Sequence, residues 1–337
     1  MTKRYVLLVL SPFQFINVLE YLHTKTINYS DCDLVLLSER QIAIDQIINE
    51  FDEIKQFANI HIPMLGKGNY WLRFLKTKKL LKRFNKHIPI VGNLDNHWSK
   101  YVLKNSPKEI KPVAVDDGAA SIDILKLRNK NEYRTSHPKI LSKKGLLEFL
   151  FLKPKKALPK SIRFFSCFNI QPSSKDELLI NNFDYTKRKY QVNDLTLVDE
   201  IWVLGTPLLQ KGFITQEANE YVLDTLKVFS ENKGFKVKYF MHRIEKLEND
   251  NGFEIVKNTM PFEMFYLNAR KKPRYIISYY STSLYVLHKM EYDTKFVAIR
   301  INKEWRDNAN WNRIDEVYHF YNLNGMEVID INALSKL

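Results

Sequence analysis

The chain has 337 residues, 45% hydrophobic and 13% aromatic. That composition excludes a disordered chain, and the length favours two domains over one. A formal net charge of +14 calls for an anionic partner (nucleic acid, a membrane surface or an acidic substrate), while two cysteines, Cys32 and Cys167, form no disulfide framework and no metal pattern and fit a reducing cytoplasm.

Lys3-Arg4 and the apolar run 5–10 faintly imitate a signal peptide. The run is short, breaks at Ser11-Pro12 and has no small-residue cleavage site, so it reads as a buried first strand. A helix over 14–23 follows, then a strand at 33–37, a helix at 42–51 and a strand at 59–62. A basic helix covers 71–86, and strands at 88–91 and 113–115 come next. Strands alternating with helices predict a parallel sheet with crossovers. Residues 135–195 carry scattered prolines, basic clusters and weak periodicity, and read as an irregular excursion and inter-domain link.

Regularity returns with a strand at 200–204 and a long helix at 216–231. Strands at 235–240 and 253–256, a helix at 261–269, a strand at 275–278 and a helix at 283–289 follow, with strands at 295–299 and 326–329 closing the chain. This half also has a βαβ rhythm. The expected fold is α/β, of GT-B type, with two Rossmann-like domains, 1–195 and 196–337, facing across a cleft. No stretch reaches the roughly 20 apolar residues of a membrane span, so a soluble or peripheral protein is expected.

The chemistry-bearing motifs sit where predicted strands run out, which is where open α/β sheets bind their ligands. Asp116-Asp117-Gly118 offers paired carboxylates, one of which can serve as a general base if like-charge proximity raises its pKa. The same residues also make an ordinary Asp-Gly turn. His242 lies two residues past a strand beside Arg243, a cationic pair suited to a phosphate leaving group. A surface histidine is the plainer reading. Ser281-Thr282-Ser283 opens a helix, where hydroxyls and free N–H groups hold phosphate or simply cap the helix. Glu263, after Pro261, grips ribose hydroxyls or complements the helix dipole. The basic segments 73–86 and 143–168 interleave lysines with Leu and Phe, the pattern of an element lying on anionic lipid or of a solvated helix face. No recognisable nucleic-acid module stands behind them. Asp31-Cys32-Asp33 reads as a loop before a strand, and no obligatory metal is expected.

In this order, these motifs resemble the bacterial sialyltransferases, the group that includes lipooligosaccharide sialyltransferases and capsular polysialyltransferases. That family has an acidic-acidic-Gly motif, a His-Pro motif and a Ser-Ser or Ser-Thr pair. Asp116-Asp117-Gly118 matches the first, and Ser281-Thr282-Ser283 the third. The opening run from Leu8 to Gln14, with Ser11 and Gln14, is similar to the start of these enzymes, as is Gly205-Thr206-Pro207-Leu208 to the head of their second domain. The His-Pro motif is His242-Arg243 here, and Phe240 stands where a basic residue is often found.

The resemblance implies a CMP-sialic acid donor, a glycan or glycolipid acceptor such as lipooligosaccharide or capsular polysaccharide, and an inverting reaction without cofactor or obligatory metal. It implies Asp117 as base with Asp116 in support, and His242 acting on the departing CMP phosphate, with Arg243 supplying charge. Ser281, Thr282 and Ser283 would hold that phosphate, Glu263 the cytidine portion, and the Gly205-Thr206 backbone would line the nucleotide site. Gly118, Ser11 and Gln14 fall on the acceptor side. The expected location is the cytoplasm or the inner face of the cytoplasmic membrane. Two other readings stand beside it. One is the same fold with CMP-Kdo or a diphosphonucleotide sugar as donor. The other is a non-catalytic basic protein that binds lipid or nucleic acid.

Overall fold

The structure is a computed structural model that describes residues 3–64, 66, 69–130, 132–133, 159–191, 195–242, 245–246, 251–257, 260–290, 293–306 and 311–337. The chain divides into two compact units, Met1–Lys189 and Tyr190–Leu337. The sequence reading places the division at 195/196.

The first unit is one parallel sheet of seven strands. They are β1 (Tyr5–Val9), β2 (Cys32–Leu36), β3 (Asn59–His61), β4 (Ile88–Val91), β5 (Val113–Val115), β6 (Arg163–Ser166) and β7 (Glu177–Ile180), in the order β3-β2-β1-β4-β5-β6-β7. Val6 to Val9 are fully buried, as the unbroken apolar run requires of a central parallel strand covered on both faces. The order reverses between β1 and β4, which makes that junction the switch point of the sheet. The helices are α1 (Pro12–Thr24), α2 (Gln41–Glu50), α3 (Tyr70–Lys82), α4 (His97–Asn105), α5 (Ala120–Asn129) and α6 (Asp184–Lys189). Ser11 caps α1 by accepting from Gln14 N at 3.3 Å, and Pro12 occupies its first turn.

The second unit has six parallel strands: β8 (Thr196–Leu204), β9 (Lys236–Phe240), β10 (Glu254–Val256), β11 (Lys271–Ser278), β12 (Lys295–Arg300) and β13 (Glu327–Asp330). Their order is β10-β9-β8-β11-β12-β13, reversing between β8 and β11. Helices α7 (Gln216–Lys233), α8 (Phe262–Asn268), α9 (Thr282–Lys289) and α10 (Trp311–Leu323) cover it. Aromatic pairs build much of the core: Phe74 packs on Trp98 at 4.8 Å, Trp202 on Phe240 at 5.2 Å, and Tyr285 stacks on Tyr321 at 5.0 Å.

Three readings need correction. The stretch 135–195 is not wholly irregular, because its described part supplies β6 and β7 of the first sheet. Both are four-residue strands whose short apolar runs are masked by the prolines and lysines around them. Asp31-Cys32-Asp33 is not all loop: Cys32 and Asp33 lie in β2, and Asp33 is spent on Arg4 at 3.2 Å and Asn59 at 2.9 Å. The basic helix stops at Lys82, short of 86. Of the segment 143–168, residues 143–158 lie outside the described residues.

One buried ion pair fastens α5 to the turn before β7. Arg128 Nε and Nη2 each donate to Asp176 at 2.7 Å, and Ile162 N and Ser173 Oγ donate to the same carboxylate. Burial pushes the Asp176 pKa up, but these donors outweigh it and hold the carboxyl below its usual range. The Asp176 side chain has no exposed surface and that of Arg128 is 11% exposed, so removing one partner strands the other. Asp176→Ala is expected to cost about 3–5 kcal/mol. The check is urea unfolding, in which the transition of the first unit moves to lower urea.

Candidate active site

Three strand ends meet at one carboxylate in the first unit. β1 runs into Leu10 and the first turn of α1, β4 into Gly92-Asn93, and β5 into Asp116-Asp117-Gly118. These strands are neighbours at the switch point, so their C-terminal loops share one edge of the sheet. Gln14 Nε2 donates to Asp117 Oδ1 at 2.5 Å, and Asn93 Nδ2 donates to Oδ2. Each donor is itself fixed. Gln14 Oε1 accepts from Leu10 N at 2.8 Å, and Asn93 Oδ1 accepts from the N–H groups of Asp95 and Asn96 at 2.8 and 2.9 Å. Gly92 makes room for this: a Cβ there would stand 2.3 Å from Gln14 Oε1. Gly118, at φ 79°, turns the chain toward α5.

The two acidic residues have different positions. Asp116 is 2% exposed and accepts from Ser166 Oγ at 2.6 Å and Cys167 N at 2.7 Å, which ties the end of β5 to the end of β6. Asp117 is half-buried, so one of the pair is enclosed and the other is reachable. Both carboxyls are pushed up to about 6. Burial is the main cause in each case, and the hydrogen bonds pull the other way without winning. The like-charge effect expected from the sequence is not the cause.

The second unit repeats the pattern at its own switch point. β8 ends in Gly205-Thr206-Pro207, β9 leads to His242, and β11 leads to Ser281 at the N-cap of α9. Glu245, 8% exposed, accepts from His242 N at 3.0 Å and from Tyr239 OH at 2.8 Å. Burial raises its pKa above the ordinary carboxylate value. A Cβ on Gly205 would fall 1.9 Å from Glu245 Oε2. The glycine therefore makes space for the Glu245 carboxylate. Glu263 and Ser283, 20 residues apart, meet: Ser283 Oγ donates to Glu263 Oε1 at 2.7 Å. Glu263 is 6% exposed, and burial raises its pKa too. The Ser281 side chain makes no capping bond to α9. Arg243 lies outside the described residues.

Sequence reasoning found Ser11, Gln14, Asp116, Asp117 and Gly118, and the structure brings them to one edge. It missed Asn93, Ser166, Tyr239 and Glu245. None of the four carries a local signal, because the partners of each are set by the fold.

No family model matches the chain, and no curated protein sequence matches it. By structure it is similar to the UDP-GlcNAc 2-epimerase of Methanocaldococcus jannaschii in complex with UDP-GlcNAc and UDP. The identity is 11% and the TM-score 0.52, over 99% of this chain and 91% of that one. A second structure of that epimerase gives 12% and 0.51, over 99% and 91%. MurG of Acinetobacter baumannii matches at 12% and 0.45, over 99% and 89%. The fold is α/β, of GT-B type, built from two Rossmann-like units. None of these proteins is a sialyltransferase, so the likeness reaches the fold and stops short of that family.

The glycine contacts give a direct check. Gly92→Ala forces Gln14 off Asp117, and Gly205→Ala forces Glu245 away from the His242 loop. Each is expected to cost about 1–3 kcal/mol by overpacking. Urea unfolding measures the loss, and an unchanged midpoint would show that these sites yield freely.

Proposed function

We propose that the protein is an inverting glycosyltransferase that moves sialic acid from CMP-sialic acid to a hydroxyl of a cell-surface glycan, lipooligosaccharide or capsular polysaccharide. The observation that carries the reading is Asp117, a reachable carboxylate oriented by two amides at a switch point, with a pKa pushed up to about 6. A carboxyl in that range is ionised at neutral pH and still basic enough to take a proton.

In this reading Asp117 removes the proton of the acceptor hydroxyl as that oxygen attacks the anomeric carbon. Asp116 positions it from behind by fixing the end of β5 to β6. The bond from the anomeric carbon to the CMP phosphate oxygen breaks, and His242 protonates or stabilises the departing phosphate. Ser281, Thr282 and Ser283 hold that phosphate at the N-terminus of α9, with Arg243 adding charge. Glu263 binds the cytidine portion, with the Gly205-Thr206 backbone beside it. Gly118, Ser11 and Gln14 shape the acceptor side. The reaction calls on no cofactor and no metal. Such an acceptor places the enzyme in the cytoplasm or at the inner face of the cytoplasmic membrane.

Two observations favour a second donor. A structural relative holds UDP-GlcNAc and UDP, and His242 lacks the proline that follows it in the sialyltransferase motif. Calorimetric titration with CMP, UDP and GDP in EDTA separates the two. Selective CMP binding that weakens in His242→Ala is expected. Preference for UDP or GDP overturns the CMP donor and leaves the fold standing.

Asp117→Ala is expected to keep nucleotide binding and to lose roughly 10²–10⁴-fold in transfer. The pH dependence has a fixed sign. Asp117 works ionised, so kcat/KM is flat above its pKa of about 6 and falls roughly tenfold per pH unit below it. Transfer that persists unchanged at pH 4.5 (about 1.5 units lower) would remove Asp117 from the role.

A further inference from the structure

Helix α3 has one buried side and one outward side of unusual chemistry. Phe74, Thr77 and Leu81 face the core. The outward side begins apolar, with Trp71 41%, Leu72 58% and Leu75 43% exposed. It continues with exposed Lys76, Lys79 and Lys82. Spacings of three and four residues put Leu72, Leu75, Lys76, Lys79 and Lys82 on one broad helix face. Arg73 is not part of it, since its guanidinium turns inward to Met64 O at 2.9 Å.

The place of this face in the fold matters as much as its composition. A helix that follows a parallel strand starts at the C-terminal edge of the sheet, and α3 follows β3. Its apolar first turns therefore lie on the edge that carries Asp117. Phe74 packs on Trp98 at 4.8 Å, in the first turn of α4, the helix that follows Asn93. The exposed leucines are thus one helix away from the loop that holds Asp117.

We propose that the outer face of α3 docks the protein on an anionic lipid surface, with Trp71, Leu72 and Leu75 entering the interface and the three lysines meeting lipid phosphates. A duplex or single strand of nucleic acid would gain nothing from exposed leucines. A lipid surface takes both halves of the face, because it offers hydrocarbon beneath a layer of negative charge. No helix among the described residues is long and apolar enough to cross a membrane, so docking would be from one side. The inference does not depend on the identity of the sugar donor.

The test is co-sedimentation of the full chain with vesicles of phosphatidylcholine alone and with 30% phosphatidylglycerol (about a third of the headgroups anionic, enough for the charge effect). Binding to the anionic vesicles alone is expected. Each lysine near such a surface is worth roughly fivefold in partitioning, so Lys76→Glu, Lys79→Glu and Lys82→Glu together should lose binding by well over tenfold. Lys227, Lys233 and Lys236 on the second unit are exposed and serve as a charge-matched control. The same three substitutions there should leave most of the binding in place. Leu72→Ser with Leu75→Ser, which keeps every charge, should also weaken it. Circular dichroism melts confirm that each variant is folded. Wild-type protein that ignores anionic vesicles overturns the proposal. So does equal loss in the two triple-glutamate variants, which would reduce the effect to net charge. CMP titration of the same variants reads the donor site separately, so failure here leaves the proposed reaction untouched.

Discussion

The first unit depends on a carboxylate held by neutral donors. Asp176 is enclosed and Asp117 half-buried, and both accept hydrogen bonds on each oxygen, yet their pKa values move in opposite directions. The difference is the donor. Asp176 accepts two bonds from a guanidinium and one each from Ser173 Oγ and Ile162 N, and together these outweigh desolvation. Asp117 faces two amides, which fix its direction but bring no charge, and desolvation wins. The fold thus uses one carboxylate as a fastener and keeps the other basic. Orientation without charge neutralisation, which Gln14 and Asn93 supply and an arginine would not, suits the general-base role proposed for Asp117.

The second unit applies the same physics. Glu245 and Glu263 are enclosed, receive bonds from hydroxyl or backbone groups, and are both raised by burial. Glu245 holds the backbone at His242, and Gly205 leaves it the space to do so. Glu245 thus fixes the His242 loop, and Glu263 ties the start of α8 to the start of α9. The hydroxyl-bearing N-terminus of α9 lies on the same edge, where backbone N–H groups suit an anion.

Much of this was legible in the sequence, for identifiable reasons. Central parallel strands such as β1 are continuous apolar runs, and their ends are marked by Ser11-Pro12, Asp116 or Gly205, so the strand-end placement of the motifs could be read directly. The strands β6 and β7 were not legible, because their short apolar runs sit in a stretch of scattered prolines and basic clusters that reads as irregular. Asn93 was invisible for a different reason: its partner Asp117 is 24 residues away, and nothing local distinguishes it from a turn asparagine. Gly205 leaves room for Glu245, 40 positions on in the chain, a contact that no local pattern shows. The distinction between Asp116 and Asp117 also needed coordinates, since only the end of β6 shows which of them is enclosed.

The account rests on Asp117 being a basic, oriented carboxylate in the resting protein. The most direct measurement is a pH titration of carboxyl ¹³C shifts in aspartate-labelled protein, wild type against Asp117→Asn. A resonance with a midpoint near 6 that disappears in the variant is the predicted result. A vanished resonance that instead titrates near the ordinary aspartate value of 3.8 would contradict the account, because the two amides would then be stabilising the charged form more than burial opposes it.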